Sequence, residues 1–382
     1  MRSMSCLPFL YLAMSAGCVA LPATAQSVPA AVPAPPPLAD GAHDFDALTG
    51  NFTFHLHYML HPLTSSPDWV DMSGTGACYK VWNGRAQLDT IELDGPGGSH
   101  MEGLTLRLYD PHARQWRLYW SNSRIGRLDP PQIGAFHNGH GDFYTTDTIN
   151  GKTTLIRFDW SQMTAAAKHF EQAFSPNGGQ TWQVNWITNQ TRTGNALWGQ
   201  PEPGRPSTQP PGSTPPPAAT TRDGQHDFDF DAGAWKIHIR RLVHPLTGST
   251  EWTTMEGTTV THKIWDGRAN LAEVEADGAS GHLELLSLRL YDPRAHQWSI
   301  RFATSDVGVL SEVPAVGEFH NGQGEFYDSE LYHGRNILVR FRIHSVSANE
   351  VHVDQAFSAD GGQTWEPNWI NTYTRISDKE SQ

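Results

Sequence analysis

The chain repeats itself, and the repeat fixes how it can fold. The stretch His226-Asp-Phe-Asp-Phe-Asp-Ala-Gly-Ala-Trp-Lys-Ile-His-Ile-Arg240 has an earlier echo in His43-Asp-Phe-Asp-Ala-Leu-Thr-Gly-Asn-Phe-Thr-Phe-His-Leu-His57. From these two points the sequence runs in parallel to Arg375 and Arg192, with nearly half of the aligned positions identical and only single-residue gaps. A period this long is a duplicated domain rather than a solenoid or propeller unit. Each copy opens with a polar-aromatic lead-in, reaches a glycine, and alternates at once: Trp235, Ile237 and Ile239 against Lys236, His238 and Arg240. A period of two describes a strand with one apolar and one polar face.

The same pattern continues through each copy. In the second, strands are expected near 233–243, 251–264, 269–276, 282–291, 297–304, 315–320, 324–331, 336–345, 350–358 and 364–376. Between them fall Asp266-Gly267, Asp277-Gly278, Asp292-Pro293, Asn321-Gly322, His333-Gly334 and Gly361-Gly362, residues that hairpin turns demand. No window carries an amphipathic helix. The fold class is therefore all-β, two tandem antiparallel up-and-down barrels of about ten strands each. Closure is favoured over an open sheet because a meander this long would otherwise leave two edges unpaired.

The remaining segments are expected to connect these units. Residues 1–25 read as a signal peptide: Arg2, an apolar run from Leu7 to Leu21 broken by Pro8 and Gly17, then Ala23-Thr24-Ala25. Lipidation at Cys18 ranks below simple cleavage. A Pro/Ala-rich tether (26–42) precedes the first barrel (43–192), and a Pro-rich linker (193–225) separates it from the second (226–376). The expected location is exported, periplasmic or secreted. Because the linker cannot pack, each copy is expected to fold alone, with few contacts between them. Removal of the signal leaves Cys78 as the one cysteine, opposite Thr261 in the second copy, which excludes a disulfide scaffold and a thiolate zinc site. A formal net charge of −13 with no Lys/Arg cluster argues against nucleic acid and anionic lipid as partners.

Gly233-Ala-Trp235 on a first strand, with Arg375 on the last, resembles the calycin pattern, in which a G-x-W tryptophan closes a barrel floor beneath an arginine. Each copy is similar to lipocalin-like domains of exported bacterial proteins. The resemblance implies a small barrel with a mouth and a pocket. The first copy departs from it, with Gly50-Asn-Phe52 and Arg192.

Several constellations carry candidate chemistry. Ser358-Ala-Asp-Gly-Gly-Gln-Thr-Trp365, nearly repeated from Ser175 to Trp182, matches an Asp-box and is expected to be a self-folding turn. His55 and His57, and His137 and His140 beside Asp142, have metal-ligand spacing, but Arg240 and Gln323 replace two of them in the second copy, so no metal and no cofactor is assigned. The candidate binding residues are polar groups within strands that appear in both copies. They are Glu92 and Glu275, His100 and His282, Glu102 and Glu284, Arg107 and Arg289, Arg157 and Arg340, and Gln172 and Gln355. Trp235, Trp298 and Arg375 join them from the floor and the aromatic core. Inside a barrel such groups would orient a carboxylate or carbonyl. On the outer face they would be cross-strand ion pairs of small worth. Parity leaves both readings open, since Glu284 shares a face with Leu286 and Leu288 while Arg289 faces the other way.

The reading is an exported protein that holds a small apolar or amphipathic ligand without covalent chemistry. The second barrel, with its intact G-x-W, is expected to be the binder, with Arg289 or Arg340 receiving the head group. Two alternatives are an enzyme using His282, Glu284 and Arg289 on a carbonyl or ester, and a glycan- or protein-binding module using surface tryptophans among the fourteen present. No catalytic residue is assigned.

Overall fold

The computed structural model describes residues 40–65, 67–198 and 222–379. The expected signal segment, the tether before Asp40 and most of the linker lie outside the described residues. In the first copy the strands are β1 (Gly50–Met59), β2 (Trp69–Val81), β3 (Ala86–Asp94), β4 (His100–Asp110) and β5 (Gln115–Asn122). They continue as β6 (Gln132–His137), β7 (His140–Ile149), β8 (Lys152–Ser161), β9 (Ala167–Ser175) and β10 (Gln183–Gly194). The second copy repeats them as β11 (Gly233–Leu242), β12 (Trp252–Ile264), β13 (Ala269–Gly278), β14 (Gly281–Asp292) and β15 (Gln297–Thr304). It ends with β16 (Ala315–His320), β17 (Gln323–Tyr332), β18 (Arg335–Ser347), β19 (Glu350–Ser358) and β20 (Glu366–Ser377). Every neighbour pair is antiparallel, and β1 pairs with β10 as β11 pairs with β20, so both sheets close. The protein is a tandem of ten-stranded antiparallel barrels, as the turn chemistry requires. Among the described residues no helix is long and apolar enough to cross a membrane.

A short 3-10 turn precedes each first strand, at Asp46–Leu48 and Asp229–Asp231, and plugs the bottom of its barrel. Phe45 and Phe228 enter the core there, edge-on to Trp116 at 5.0 Å and to Trp298 at 4.8 Å. In the second barrel the Arg375 guanidinium lies 3.9 Å from the centre of the Trp235 ring and donates to the carbonyls of Ala232 and Phe230 at 2.8 and 2.6 Å. Trp235 Nε1 donates to Asp231 O at 2.9 Å. The arginine thus seals the floor and satisfies carbonyls that the turn leaves without strand partners. The first barrel, with Phe52 in place of tryptophan, uses another cation. Lys168 reaches in from β9, its Nζ 3.1 Å from the Phe52 ring centre and donating to Leu48 O at 2.7 Å. Arg192 turns instead to Asn195 Oδ1 at 3.0 Å.

The expectation that the copies barely touch is overturned. β4 and β14 are buried on both faces. One face of each looks into its own barrel; on the other, Leu106 and Leu108 of β4 join Leu286, Leu288 and Leu290 of β14 in a single apolar cluster. Leu88 and Leu271 from β3 and β13 complete it. Reciprocal ion pairs flank the seam: Arg85 Nη2 reaches both oxygens of Glu284 at 2.8 and 2.6 Å, and Arg268 Nη2 reaches both of Glu102 at 2.9 and 2.7 Å. Trp198, at the start of the linker, is stacked between Tyr79 of one barrel and His262 of the other, 3.8 Å from each ring centre. Two glycines mark how close the approach is. A Cβ on Gly126 (φ +60°) would stand 1.8 Å from Tyr291 O, and one on Gly308 (φ +66°) 1.7 Å from Tyr109 O. The barrels pack against each other because four to five leucines a side would otherwise face water.

Two outcomes follow for stability. Trp235→Ala should cost about 3–5 kcal/mol, the scale of a buried large aromatic. Arg375→Ala should also destabilise, and in denaturant titrations the double variant should lose less than the sum; strict additivity would mean the cation and ring do not act together. At the seam, Gly308→Val should drive side-chain atoms into the opposite backbone, and scanning calorimetry should show the single transition of the native chain fall in temperature or split. An unchanged thermogram would overturn the tight seam.

Candidate functional site

The interior of the first barrel is layered. Above the plug, Arg107 of β4 lies 4.9 Å from the Phe45 ring centre and 5.1 Å from that of Trp160, and it is ion-paired with Asp89 of β3. Gln87, one pleat lower, donates to Phe45 O at 2.9 Å. The second barrel builds the equivalent layer with its charges rearranged. Arg289 pairs with Asp231 of the plug and Asn270 of β13, and covers Phe228 at 4.7 Å. Alanine (Ala272) stands where the first barrel has Asp89, and leucine (Leu48) where the second has Asp231. An arginine this deep needs a carboxylate, and each copy supplies it from a different element. Burial also pushes the Cys78 thiol well above its usual pKa, with Asp89 adding to the effect, so the cysteine is an inert neighbour of this layer.

Above Arg107 the first barrel holds a cavity of about 250 Å³. Its walls are aromatic and aliphatic: Phe54, Trp120, Phe158, Trp160, Phe170, Phe174 and Trp186 with Ile91, Leu118 and Ile156. Polar side chains are set among them. Gln172 Nε2 donates to Asn185 Oδ1 at 3.0 Å, and Gln190 Nε2 to Thr188 Oγ1 at 3.2 Å. Gln132 Nε2 donates to Pro130 O at 3.2 Å, while its Oε1 is buried without a partner, as is Trp160 Nε1. Two carboxylates, Asp129 and Asp147, stand at the open end. Burial, and then the like charge of Asp147, push the Asp129 carboxyl up to about 6. The corresponding end of the second barrel carries Asp328, raised to about 7 by burial and by Glu330.

The structure distributes the fifteen sequence-selected residues over four places. Arg107 and Gln172 line the cavity. Gln355 holds the cavity position of Gln172 in the second copy and repeats its bond, donating to Asn368 Oδ1 at 3.1 Å. Trp235, Arg375, Trp298 and Arg289 build the floor and plug of the second barrel, where Trp298 Nε1 donates to Gly224 O at 2.9 Å. Glu102 and Glu284 belong to the seam between barrels. The rest sit on the outer wall. His100 pairs with Asp94 at 2.8 Å and with Glu92 at 3.7 Å; His282 pairs with Asp277 at 2.9 Å and with Glu275 at 4.0 Å. Arg157 and Arg340 lie across Trp182 and Trp365, 4.9 and 4.6 Å from the ring centres. His282, Glu284 and Arg289 therefore point outward, into the seam and inward respectively, and share no site. Nor do Arg289 and Arg340 meet in one pocket: strand alternation sends them to opposite faces.

The Asp-box is a turn, as expected. Asp360 accepts from Ser358 Oγ, Thr364 N and Thr364 Oγ1 at 2.8, 2.9 and 2.6 Å, and these bonds, led by the Thr364 hydroxyl, hold its carboxyl down near 2. Of the histidine spacings, the fold selects one cluster: His140, Asp142 and Asp159 bring their donor atoms within 4.8 Å of one another. His137, the partner suggested by spacing, is not in it, and Asp159 comes from the neighbouring strand β8. In the second barrel Arg342 replaces Asp159 and binds Asp354 at 2.9 Å.

No known protein family matches the chain, and no curated protein matches it. Among solved structures, an S-type phycobiliprotein lyase from Guillardia theta is 8% identical over 42% of this chain and 100% of its own, with a TM-score of 0.29. A protein of unknown function from the DUF3598 family of Nostoc punctiforme is 13% identical over 89% of this chain and 100% of its own, with a TM-score of 0.26. A redesigned β-barrel bound to DFHBI is 11% identical over 38% of this chain and 99% of its own, with a TM-score of 0.23. Likeness at this level adds nothing to the site, which stands on its own geometry.

Lys168 gives the site's foundation a pH dependence. Burial lowers its ammonium pKa from 10.5 to about 7. The folded chain then binds fewer protons at this position than the unfolded chain between about pH 7 and 10.5, so stability should rise with pH across that window. Lys168→Met should flatten this part of the stability–pH curve measured by urea unfolding. A native-like slope in the variant would place the dependence elsewhere.

Proposed function

We propose that this protein binds a small amphipathic molecule, non-covalently, within its first barrel. The observation that carries the reading is the cavity above Arg107: walls of aromatic and aliphatic side chains, polar groups set among them, and an open end. By scaling from a cavity of about 150 Å³ that takes benzene, a space of this size suits a ligand of roughly ten non-hydrogen atoms. That is a single ring with a short substituent or a short chain, not a long fatty acid. The wall offers a buried unpartnered donor, Trp160 Nε1, and a buried unpartnered acceptor, Gln132 Oε1, and a ligand with a polar group would relieve the cost of leaving these unpaired. No group in the cavity is poised as a nucleophile: Cys78 is protonated, and Lys168 is spent on the floor.

The first barrel replaces the second as the proposed binder. Tyr373 stands in the second barrel where Gln190 lines the first, partly buried against that barrel's aromatic core, with its hydroxyl accepting from Asn371 at 3.1 Å. Of the outer-wall tryptophans, Trp182 and Trp365 are each covered on a face by an arginine and Trp69 by His57, which weighs against a surface binding module. Export, suggested by residues 1–25, is part of the same proposal.

The test uses a substitution the chain itself suggests. Gln190→Tyr should fill the cavity with the side chain that the second barrel tolerates. A panel of one-ring and short-chain amphiphiles should perturb tryptophan fluorescence of the native protein, with Trp120, Trp160 and Trp186 on the wall, and should leave the folded Gln190→Tyr variant unaffected. Equal responses from both proteins, or none from either, would end the cavity reading.

A further inference from the structure

The charges around the cavity do not balance. Three carboxylates line it, those of Asp89, Asp129 and Asp147, against one guanidinium, that of Arg107. Asp89 and Arg107 neutralise each other at the bottom. What remains is two carboxylates at the open end. One oxygen of Asp147 accepts from the backbone N–H of Thr148 at 2.6 Å. Burial and mutual repulsion hold Asp129 up near 6, so its charge is costly there as it stands. Between rim and bottom the unpartnered wall atom nearest in kind is again an acceptor. Gln132 is 3% exposed, its amide nitrogen is fixed by the Pro130 carbonyl, and its Oε1 is left without a donor.

We infer that the ligand of the first barrel carries a protonated amine, received at the rim by Asp129 and Asp147 with Gln132 Oε1 below them, on a body small enough for the aromatic walls. The inference rests on the ligand-binding reading and sharpens it. An ammonium supplies several N–H donors to the two rim carboxylates and to Gln132 Oε1, all acceptors, and its charge offsets the one uncompensated concentration of charge in the cavity. The faces of Trp120 and Trp186 suit the same charge. An acidic head group, the expectation from sequence, fits worse. To reach Arg107 it would have to pass two carboxylates and displace a third from its partner. The net charge of −13 also draws cations toward the protein and repels anions. At the far end a hydroxyl or carbonyl of the ligand would meet Trp160 Nε1.

Three probes of matched shape separate the possibilities: 2-phenylethylamine, 2-phenylethanol and phenylacetate, titrated into the full-length protein by calorimetry at pH 8. The amine should bind tightest, by about tenfold over the alcohol, the scale of one charge-assisted hydrogen bond. Phenylacetate should bind weakest. Asp147→Asn and Asp129→Asn should each reduce amine binding toward the alcohol's value and leave the alcohol unchanged, and added salt should weaken the amine alone. If the alcohol or the acid binds as well as the amine, the amine inference falls while the cavity reading stands. If none of the three binds, both fall. Should an Asn variant fail to fold, the ranking of the three probes and its salt dependence decide by themselves.

Discussion

Burial of two strands on both faces is the constraint from which the rest of the structure follows. In a closed barrel the inner face of each strand supplies the core, and the outer face is free to be polar. β4 and β14 are apolar on both sides, with Leu106 and Leu108 facing Leu286, Leu288 and Leu290 across the seam. A barrel carrying such a stripe is incomplete alone. Joining two copies in one chain makes the partner permanent and replaces an association equilibrium by a local one. The seam also explains why Arg85, Glu102, Arg268 and Glu284 recur. They are the polar rim of an interface, each pair crossing from one copy to the other.

Within that frame each barrel must close its floor, and the two do so with different chemistry. Arg375 spreads over Trp235 and ties down two carbonyls. Lys168 does the same over the smaller Phe52 with one bond, from a different strand. One layer higher, the carboxylate that neutralises the buried arginine moves from the plug (Asp231) to the wall (Asp89). These are compensated exchanges: the charge is kept, and its position shifts. Moving the carboxylate onto β3 places it beside the cavity, so the lower wall of the first barrel is polar where Ala272 makes the second apolar.

Much of the architecture was legible in the sequence. Turn residues and alternation located all ten strands of the second copy within a few residues, and Gly233, Trp235 and Arg375 announced a floor that the structure contains. The site was less legible, for a physical reason. Looking for polar residues repeated in both copies selects what both copies need, which is the shared scaffold: seam pairs such as Glu102 and Glu284, and outer-wall pairs such as His282 with Asp277. Period-two alternation says that Glu284 and Arg289 face opposite ways but not which way is in, because a strand buried on both sides has no polar face to orient it. Of the repeated residues only Arg107 and Gln172 line the cavity, and what sets it apart lay where the copies differ: Asp89 against Ala272, Trp160 against Ile343, Gln190 against Tyr373. Lys168 against Val351 was a further signal, since a lysine on a strand face of Phe170 and Phe174 has to find a buried partner.

The differences between the copies also bear on why only one barrel would need to bind. The seam, the plugs and the floors demand two intact barrels, but none of them demands a particular interior above the arginine layer. A second copy whose task is to cover Leu106 and Leu108 can fill its interior with Tyr373 and Asn371 at no cost to that task. The first copy is then free to leave Gln132 Oε1 and Trp160 Nε1 unpaired and to hold Asp129 where its charge is disfavoured, provided the seam supplies the stability those groups subtract. Uncompensated polar atoms are tolerated in folded proteins mainly where something binds. In the first barrel two such atoms, Gln132 Oε1 and Trp160 Nε1, belong to residues that line one cavity above an arginine whose charge is paired, whereas Tyr373 stands in place of Gln190 in the second.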